Sequence, residues 1–252
     1  MTRDLVAATN ENLRSAFAIL AAEAQTGECR QFGPLTAACA GVAVPLFNRV
    51  FVFDAPSSGD LSAAVAWLSE RDVPFRVTVT EPVVEEVTNH RGDFDLAKAG
   101  EQPGMAMGSL DELPSPDSVA NIAAVTGPED RDDFSTVTAS AFGMPPDVVA
   151  QVDQAALAAD DMRPFLGRVD GRPAASGLLV QSGDVAGLYW IGVVEEFRRQ
   201  GIGEAMSWAV LRAGREAGCH VGVLQSSEMG YPLYERMGFE PVVTYHQFAP
   251  AD

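Results

Sequence analysis

The stretch that decides the fold of this chain runs from residue 191 to residue 203 and reads Ile191-Gly192-Val193-Val194-Glu195-Glu196-Phe197-Arg198-Arg199-Gln200-Gly201-Ile202-Gly203. Its first three residues end an apolar segment that we predict to be a strand. A charged loop follows. We predict a helix from Gly201 onward, because Ile202, Met206 and Val210 recur at helical spacing. The order strand, loop, helix places this loop at the start of a helix.

The loop has the residues that an anion site needs. Gly201 and Gly203 let a ligand approach the backbone closely, and the first N–H groups of a helix have no partner within it. These N–H groups and the positive end of the helix dipole attract anions. Arg198 and Arg199 add two permanent positive charges just upstream. The alternative interpretation is that both glycines only relieve crowding where the helix meets a sheet.

Other phosphate-binding and catalytic motifs are excluded. A Walker A loop needs Gly-Lys-Ser/Thr, and the only lysine of the chain is Lys98. A dinucleotide-binding fingerprint would need a glycine where Met206 stands. The Gly-x-Ser-x-Gly elbow of hydrolases is absent. The three cysteines and three histidines are not spaced as zinc ligands, so we expect no metal.

Two motifs resemble those of the GNAT superfamily of N-acetyltransferases. The family's Arg/Gln-x-x-Gly-x-Gly/Ala signature is matched by Arg198, Gly201 and Gly203, and the preceding strand end by Ile191-Gly192-Val193. Its Leu-Tyr-x-x-x-Gly-Phe signature is matched, one helix and one strand later, by Leu233-Tyr234-Glu235-Arg236-Met237-Gly238-Phe239. The resemblance covers roughly residues 119–248. It implies an N-acyltransferase with acetyl-CoA as co-substrate, acting on a small-molecule amine or a protein amino group.

The resemblance also implies how coenzyme A would be held. Backbone groups of Ile191 and Val193, at a strand bulge, would pair with the pantetheine arm. The pyrophosphate would be bound by the backbone N–H groups of Arg199-Gln200-Gly201-Ile202-Gly203, with the side chain of Arg198 or Arg199 in support. Ser227 stands where many relatives have asparagine, and serine can still form a hydrogen bond.

The catalytic role implied by the resemblance falls on Tyr234, which would protonate the departing thiolate. The alternative is a helix tyrosine packed in the core. The amine would attack the thioester directly, with a strand N–H stabilising the oxyanion. No general base stands out, although His246 on the last predicted strand is a candidate. A protein that binds acyl-CoA without turnover is the competing functional hypothesis.

Composition restricts the remaining possibilities. With 47% hydrophobic and 21% charged residues over 252 positions, the chain is typical of globular proteins. The start Met1-Thr2-Arg3-Asp4 lacks a secretory signal, and no apolar run reaches the roughly 18 residues of a membrane span. We therefore expect a cytoplasmic protein. A net charge of −18 argues against nucleic-acid binding, and the acidic, lysine-poor composition suits a salt-rich cytoplasm.

A proline-rich, acidic segment at residues 110–117 predicts a linker or a long loop. It divides the chain into parts 1–112 and 113–252. The loop at residues 54–60 of the first part has no arginine and two acids, which would repel a pyrophosphate. We interpret this part as a degenerate acetyltransferase-like domain without cofactor that shapes the substrate cleft or a homodimer. An unrelated small α/β domain is the alternative.

Periodicity predicts an α/β (α+β) fold, and the resemblance implies a mixed, mostly antiparallel sheet flanked by helices and preceded by a smaller α/β domain. The predicted helices cover residues 5–24, 58–71, 129–142, 145–158, 201–217 and 231–237, with another starting at Glu81-Pro82. The predicted strands cover residues 36–45, 48–54, 74–80, 105–110, 119–125, 164–169, 173–181, 186–193, 221–225 and 241–248. Arg91-Gly92-Asp93 is predicted to be an ordinary turn.

Overall fold

The computed structural model describes residues 4–81, 83–90 and 95–251. The helices are α1 (Leu5–Glu23), α2 (Ser58–Ser69), α3 (Val84–His90), α4 (Pro128–Phe142), α5 (Pro146–Ala158), α6 (Ile202–Glu216) and α7 (Tyr231–Arg236). The strands are β1 (Glu28–Phe32), β2 (Leu35–Cys39), β3 (Asn48–Val52), β4 (Arg76–Thr80), β5 (Leu96–Met107), β6 (Asn121–Ala124), β7 (Met162–Val169), β8 (Arg172–Ser182), β9 (Val185–Val193), β10 (Val221–Gln225) and β11 (Glu240–Pro250). The predicted turn at Arg91-Gly92-Asp93 and the predicted helix start at Pro82 lie outside the described residues.

The strands form one mixed sheet in the order β1-β2-β3-β4-β11-β5-β10-β9-β8-β7-β6. The pairs β3–β4 and β9–β10 are parallel, and the other neighbouring strands run antiparallel. This confirms the predicted mixed, mostly antiparallel sheet flanked by helices. No helix within the described ranges is long and apolar enough to cross a membrane.

The two parts of the chain exchange strands at the centre of the sheet. Strand β5, from the first part, lies between β10 and β11, and β11 lies between β4 and β5. The β5–β11 ladder runs from Leu96 opposite Pro250 to Ala106 opposite Glu240. Helix α1 also crosses over, because Leu13 and Phe17 share a core with residues of α5 and β8. The division at residue 112 therefore stays a proposal about chain segments that share one sheet.

The same order of elements occurs twice. Strands β1, β2 and β3, helix α2, strand β4, helix α3 and strand β5 are followed later by β7, β8, β9, α6, β10, α7 and β11. In both series the third strand pairs in parallel with the fourth, and a helix connects them. The two series can therefore be compared position by position.

Some predicted elements were wrong in extent. Strand β1 was missed because Glu28–Phe32 is polar and almost fully exposed at the sheet edge, which leaves no alternating pattern. Strand β5 was predicted from residue 105 but begins at Leu96. Its first part was missed because it contains Gly100 and Pro103 and because residues 97–101 are exposed, which leaves no alternating pattern. The strand predicted for residues 36–45 ends at Cys39, and Pro45–Phe47 form a short 3-10 turn.

Candidate functional site

The predicted bulge lies near the end of β9. The parallel pairing of β9 with β10 ends at Leu188 opposite Leu224. The ladder between β8 and β9 shifts register between Ser176 opposite Gly192 and Leu178 opposite Tyr189. Within this shift Trp190 has a positive φ of 49°, and its carbonyl accepts a hydrogen bond from the Ser176 hydroxyl at 3.1 Å. Strand β9 therefore carries one extra residue in this shift and stays paired with β8 at Gly192 and Val193, while its pairing with β10 has already ended.

The loop after β9 leaves the start of α6 open. Arg199 and Gly201 have positive φ angles of 66° and 76°, which turn successive N–H groups toward one side. Among the described residues, the backbone N–H groups from Arg199 to Glu204 have no hydrogen-bond acceptor, and no side chain caps the helix. A Cβ built on Gly201 would meet nothing within 4 Å. The cradle is therefore open and carries free donors, which fits a pyrophosphate.

The two arginines of the loop have different positions. Arg198 turns back, where its Nε donates to the Val193 carbonyl at 3.0 Å and its Nη2 to the Ala141 carbonyl at 3.3 Å. It thereby fixes the loop to the ends of β9 and α4. The side chain of Arg199 is exposed and forms no hydrogen bond within the described part of the chain. Of the two, Arg199 is the cation free to reach an anion at the helix start.

Tyr234 lies in α7 and is 8% exposed. Its ring packs edge-on against Phe239, with 5.8 Å between centroids. Burial raises the pKa of its hydroxyl to about 12, and a hydrogen bond with the Ser207 side chain opposes this rise. Ser207 in turn donates to the Gly203 carbonyl at 2.9 Å. The tyrosine hydroxyl is thus connected to the first turn of α6 and keeps its proton at neutral pH.

A cleft of about 730 Å³ opens at the same edge of the sheet. Strands β5 and β11, which separate β4 from β10, run antiparallel to their neighbours. The ends of β9 and β10 therefore lie at the same edge of the sheet as the starts of β3 and β4. The lining includes Ser226, Ser227 and Tyr231 from the segment after β10. The opposite wall contains Arg49 and Arg76, from the first part of the chain. Both parts therefore build this cleft.

The predicted site residues are only partly brought together at the cleft. Ser227 lines it and accepts a hydrogen bond from the Gly230 N–H at 3.1 Å. Tyr234 does not line it, and neither does His246. The His246 Nδ1 lies 3.1 Å from a carboxylate oxygen of Glu101. Because side chains alternate along a strand, His246 faces away from the neighbouring cleft residue Gln247.

Sequence reasoning missed Arg49 and Arg76, which are cleft residues of the first part. The available signal was a charged residue inside two apolar strands, Asn48-Arg49-Val50-Phe51 and Phe75-Arg76-Val77. A buried charge in such a place is uncommon without a partner. No group of three potential metal-ligating side chains occurs within the described ranges.

Comparisons with known proteins concern the family and the fold. Residues 132–224 match the family model of the acetyltransferase (GNAT) domain. No match was found among curated proteins. A GCN5-related N-acetyltransferase from Kribbella flavida superposes with a TM-score of 0.68 at 18% identity, over 95% of both chains. A GCN5-related N-acetyltransferase from Sphaerobacter thermophilus gives a TM-score of 0.61 at 16% identity, over 85% of this chain and 76% of the other.

A third similar structure is a tandem GNAT protein from the clavulanic acid biosynthesis pathway. It covers 97% of this chain and 96% of its own, with a TM-score of 0.58 and 13% identity. At these identities the likeness concerns the fold alone.

Proposed function

We propose that this chain, in which residues 132–224 match the family model of the acetyltransferase (GNAT) domain, transfers an acetyl group from acetyl-CoA to a primary amine of a small molecule or a protein. The observation that carries the proposal is the uncapped start of α6 directly after the bulged strand β9. Free N–H groups at a helix start bind phosphates. An open strand edge next to them can pair with an extended, amide-containing ligand.

Coenzyme A would be bound along this edge in two segments. The pyrophosphate would accept hydrogen bonds from the N–H groups between Arg199 and Gly203, with the free side chain of Arg199 adding a positive charge. The pantetheine arm would follow the edge of β9 at Ile191 and Val193, where β9 and β10 no longer pair. Ser227, which lines the cleft on the β10 side, would bind from the other wall.

Transfer would then join the amine nitrogen to the acetyl carbon while the bond from that carbon to sulfur breaks. The departing thiolate would take the Tyr234 proton, and the proton lost by the amine would leave to water. A pKa of about 12 suits this role, because the hydroxyl stays protonated at neutral pH and can act as an acid. The backbone N–H groups freed at the bulge would stabilise the oxyanion that develops on the acetyl oxygen.

A second candidate is an acyl-CoA-binding protein without turnover. It is favoured by the position of Tyr234, whose hydroxyl is buried against Ser207 and whose side chain does not line the cleft. In that case the tyrosine would only join α7 to α6. The two candidates share the binding site and differ in the fate of the bound thioester.

For the first part of the chain we propose an acetyltransferase-like segment that binds no cofactor and closes the substrate cleft. Its repeated order of elements and the similar tandem protein support this proposal. The loop at residues 54–60 carries no arginine and two acids. A pyrophosphate would be repelled there.

Titration calorimetry with acetyl-CoA, at low and at molar KCl, tests the proposal. We expect binding near one site per chain. Changing Arg198, Arg199 and Gly201 together should abolish it. The matched control changes Arg131, Arg163 and Gly171 together; both arginines are exposed, and Gly171 has a φ of 78°, close to that of Gly201. No binding by a folded wild-type sample in either salt would contradict both candidates, and binding without turnover of any amine would favour the second.

A further inference from the structure

The cleft contains a buried arginine that has no acidic partner. The Arg49 side chain is 4% exposed, and its guanidinium lies over the Phe17 ring, 4.6 Å from the centroid. Its Nε donates to the Leu46 carbonyl at 2.8 Å, and its Nη1 lies 3.4 Å from the Thr78 hydroxyl oxygen. These contacts fix the guanidinium in place, but all of them are with uncharged groups. A buried cation is normally paired with an anion.

A second arginine stands directly beside it. Arg49 and Arg76 are register partners in the parallel ladder of β3 and β4, so their side chains lie on the same face of the sheet. Like charges placed opposite each other destabilise a sheet. Among the described residues neither arginine forms an ion pair. Both line the cleft. An anion placed between them would remove the repulsion.

The electrostatics of Arg49 agree with this geometry. Burial lowers the pKa of its guanidinium to about 10, and the charge of Arg76 acts in the same direction, while Tyr189 opposes the shift. A bound anion would favour the charged form and reverse the lowering. At neutral pH the side chain is cationic in either case, so this wall of the cleft holds two positive charges. Of the acidic residues that line the cleft, Glu101 contacts Lys98 and His246, and Glu228 lies at the β10 end.

Gln247 extends the polar wall next to the arginines. Thr78 and Gln247 are register partners between β4 and β11, and the Thr78 hydroxyl donates to the Gln247 amide oxygen at 2.9 Å. Since that oxygen is an acceptor for Thr78, the amide NH₂ of Gln247 is the half that can donate into the cleft. Two guanidinium groups and an amide NH₂ are donors only, a set that matches an oxyanion.

We propose that Arg49 and Arg76 form an anion subsite for the acceptor, so that the amine acetylated by this protein also carries a carboxylate or a phosphate. This inference rests on the proposed acetyltransferase function and specifies its substrate class. The subsite has the opposite sign to the whole chain, whose net charge is −18. The overall acidity therefore does not predict a polycationic acceptor.

The acceptor would lie across the cleft, with its amine at the β10 end. Ser226, Ser227 and Glu228 line that end, beside the splayed strands that would hold the thioester. Strands β4 and β10 are separated by β11 and β5, so the two ends lie about 14 Å apart at roughly 4.8 Å per strand spacing. The anionic group and the amine can accordingly be separated by several bonds. An ω-amino carboxylate has this form.

Steady-state kinetics with matched acceptors tests the subsite. The probes are the ω-amino carboxylates from glycine to 11-aminoundecanoate, whose extended chain matches this separation, the carboxamide of each, and the ω-amino phosphonates. We expect kcat/KM for the best carboxylate or phosphonate to exceed that of its carboxamide by about 10- to 100-fold, the range of a charge-assisted hydrogen bond. The preferred member of the two anion series identifies the anionic group. Arg76→Gln should bring the ratio close to one, Arg76→Lys should restore part of it, and Arg163→Gln should leave it unchanged.

Thermal stability tests binding at the anion subsite without requiring turnover. We expect the preferred anionic probe to raise the Tm of the wild type more than its carboxamide does, and this difference should be lost in Arg76→Gln. Equal kcat/KM for anionic and neutral acceptors, or no selective rise in Tm, would overturn the subsite. If acetyl-CoA still binds in such a case, the proposed function stands and only the anion subsite fails. If acetyl-CoA does not bind, the proposed function itself fails, and the Tm difference alone then decides the subsite.

Discussion

The two halves of the sheet contain corresponding helices, α2 and α6, and only the start of α2 is capped by side chains. Helix α2 follows β3 as α6 follows β9, and each helix leads to a parallel partner strand. At α2, the Ser57 hydroxyl accepts from the Asp60 N–H at 3.2 Å, and the Asp60 carboxylate accepts from the Ser57 N–H at 3.2 Å and its hydroxyl at 2.7 Å. This capping box consumes donors and adds a negative charge. At α6, Gly201 occupies the cap position and offers no such group.

The strands that precede the two helices also differ, because only β9 contains a bulge. The β2–β3 ladder runs from Thr36 opposite Phe51 to Cys39 opposite Asn48 without a register shift, whereas the β8–β9 ladder contains the bulge. The later helix α3 has no tyrosine, whereas α7 carries Tyr231 and Tyr234. A shared topology thus permits an acyl-CoA site in both halves. On the proposed function, the cap, the bulge and the tyrosine would decide which half binds acyl-CoA.

The largest effect is expected from Tyr234→Phe, which removes the proposed general acid, a tyrosine that the corresponding helix α3 lacks. We expect kcat to fall by about 100- to 1,000-fold, within the range of general acid catalysis, with little change in acetyl-CoA affinity. The thiolate would then leave without a proton donor. Thiol release at saturating acceptor measures kcat, and calorimetry measures affinity.

Tyr231→Phe is the matched control, because Tyr231 lies one turn earlier in α7 and lines the cleft. It should reduce kcat less than tenfold. The pKa of Tyr234 is raised, so its acid form persists as pH increases, and no alkaline loss of kcat from this group is expected until near pH 12. An unchanged kcat in Tyr234→Phe would remove its catalytic role. A larger loss in Tyr231→Phe would transfer the role to that residue.

The second-largest effect is expected from placing a carboxylate at the start of α6, where α2 already has one. In Gly201→Asp a carboxylate would stand at the open cradle and repel the pyrophosphate, while a φ of 76° strains the new side chain. We expect acetyl-CoA to bind about 100-fold more weakly, which corresponds to about 2.7 kcal/mol. Calorimetry measures the change directly.

Gly171→Asp is the control for Gly201→Asp, because it introduces similar backbone strain without placing a charge at the cradle. Gly171 sits in the turn between β7 and β8 with a φ of 78° and nothing within 4 Å of an added Cβ. The strain is therefore similar at both positions, and both variants should lose about 1–2 kcal/mol of unfolding free energy. Only Gly201→Asp should lose affinity. Equal affinity in both variants would mean that the start of α6 binds no anion.

Features that depend on residues close together in the chain could be predicted from the sequence, whereas features that depend on pairing between distant segments could not. The anion cradle depends on neighbours in the chain, and the bulge was expected from the short Ile191-Gly192-Val193 match to the family motif. The exchange of β5 and β11 depends on pairing between segments more than a hundred residues apart, and neither strand carries a sign of its partner. The anion subsite escaped prediction for the same reason, because Arg49 and Arg76 become neighbours only in the sheet.

The behaviour of Arg198 and Arg199 also needed the structure. In the sequence they are equivalent adjacent cations, and either could support a phosphate. The positive φ of Arg199 turns its side chain away from that of Arg198, which bonds to the carbonyls of Val193 and Ala141. Their roles differ because of backbone geometry, which residue type alone does not specify.

A smaller effect is expected at the bulge itself. The Ser176 hydroxyl is buried and holds the Trp190 carbonyl, so Ser176→Ala leaves that carbonyl without this donor. We expect a loss of about 1 kcal/mol in unfolding free energy and a decrease in acetyl-CoA affinity of about 5- to 10-fold. Denaturant unfolding and calorimetry measure the two quantities. Ser207→Ala is not a suitable control because Ser207 contacts Tyr234, but Ser69→Ala is, because its hydroxyl donates to the Val65 carbonyl at 2.9 Å within α2. Affinity that remains at the wild-type value would show that the bulge is not part of the pantetheine site.

The smallest effect on acetyl-CoA binding is expected from removing the side-chain cap of helix α2 in the first half of the sheet. Ser57→Ala removes the cap of α2 and should lower the free energy of unfolding by about 1 kcal/mol, as measured by denaturant unfolding. It frees an N–H at the helix start, so if an uncapped helix were sufficient, a second acetyl-CoA site would appear. We expect the stoichiometry to stay near one per chain, because Asp60 keeps its charge there, the loop has no arginine, and β3 has no bulge. A second site in the calorimetric titration would mean that the capping serine alone keeps the first half silent. One site in a destabilised variant would mean that cap, charge and strand geometry must all change before this half can bind coenzyme A.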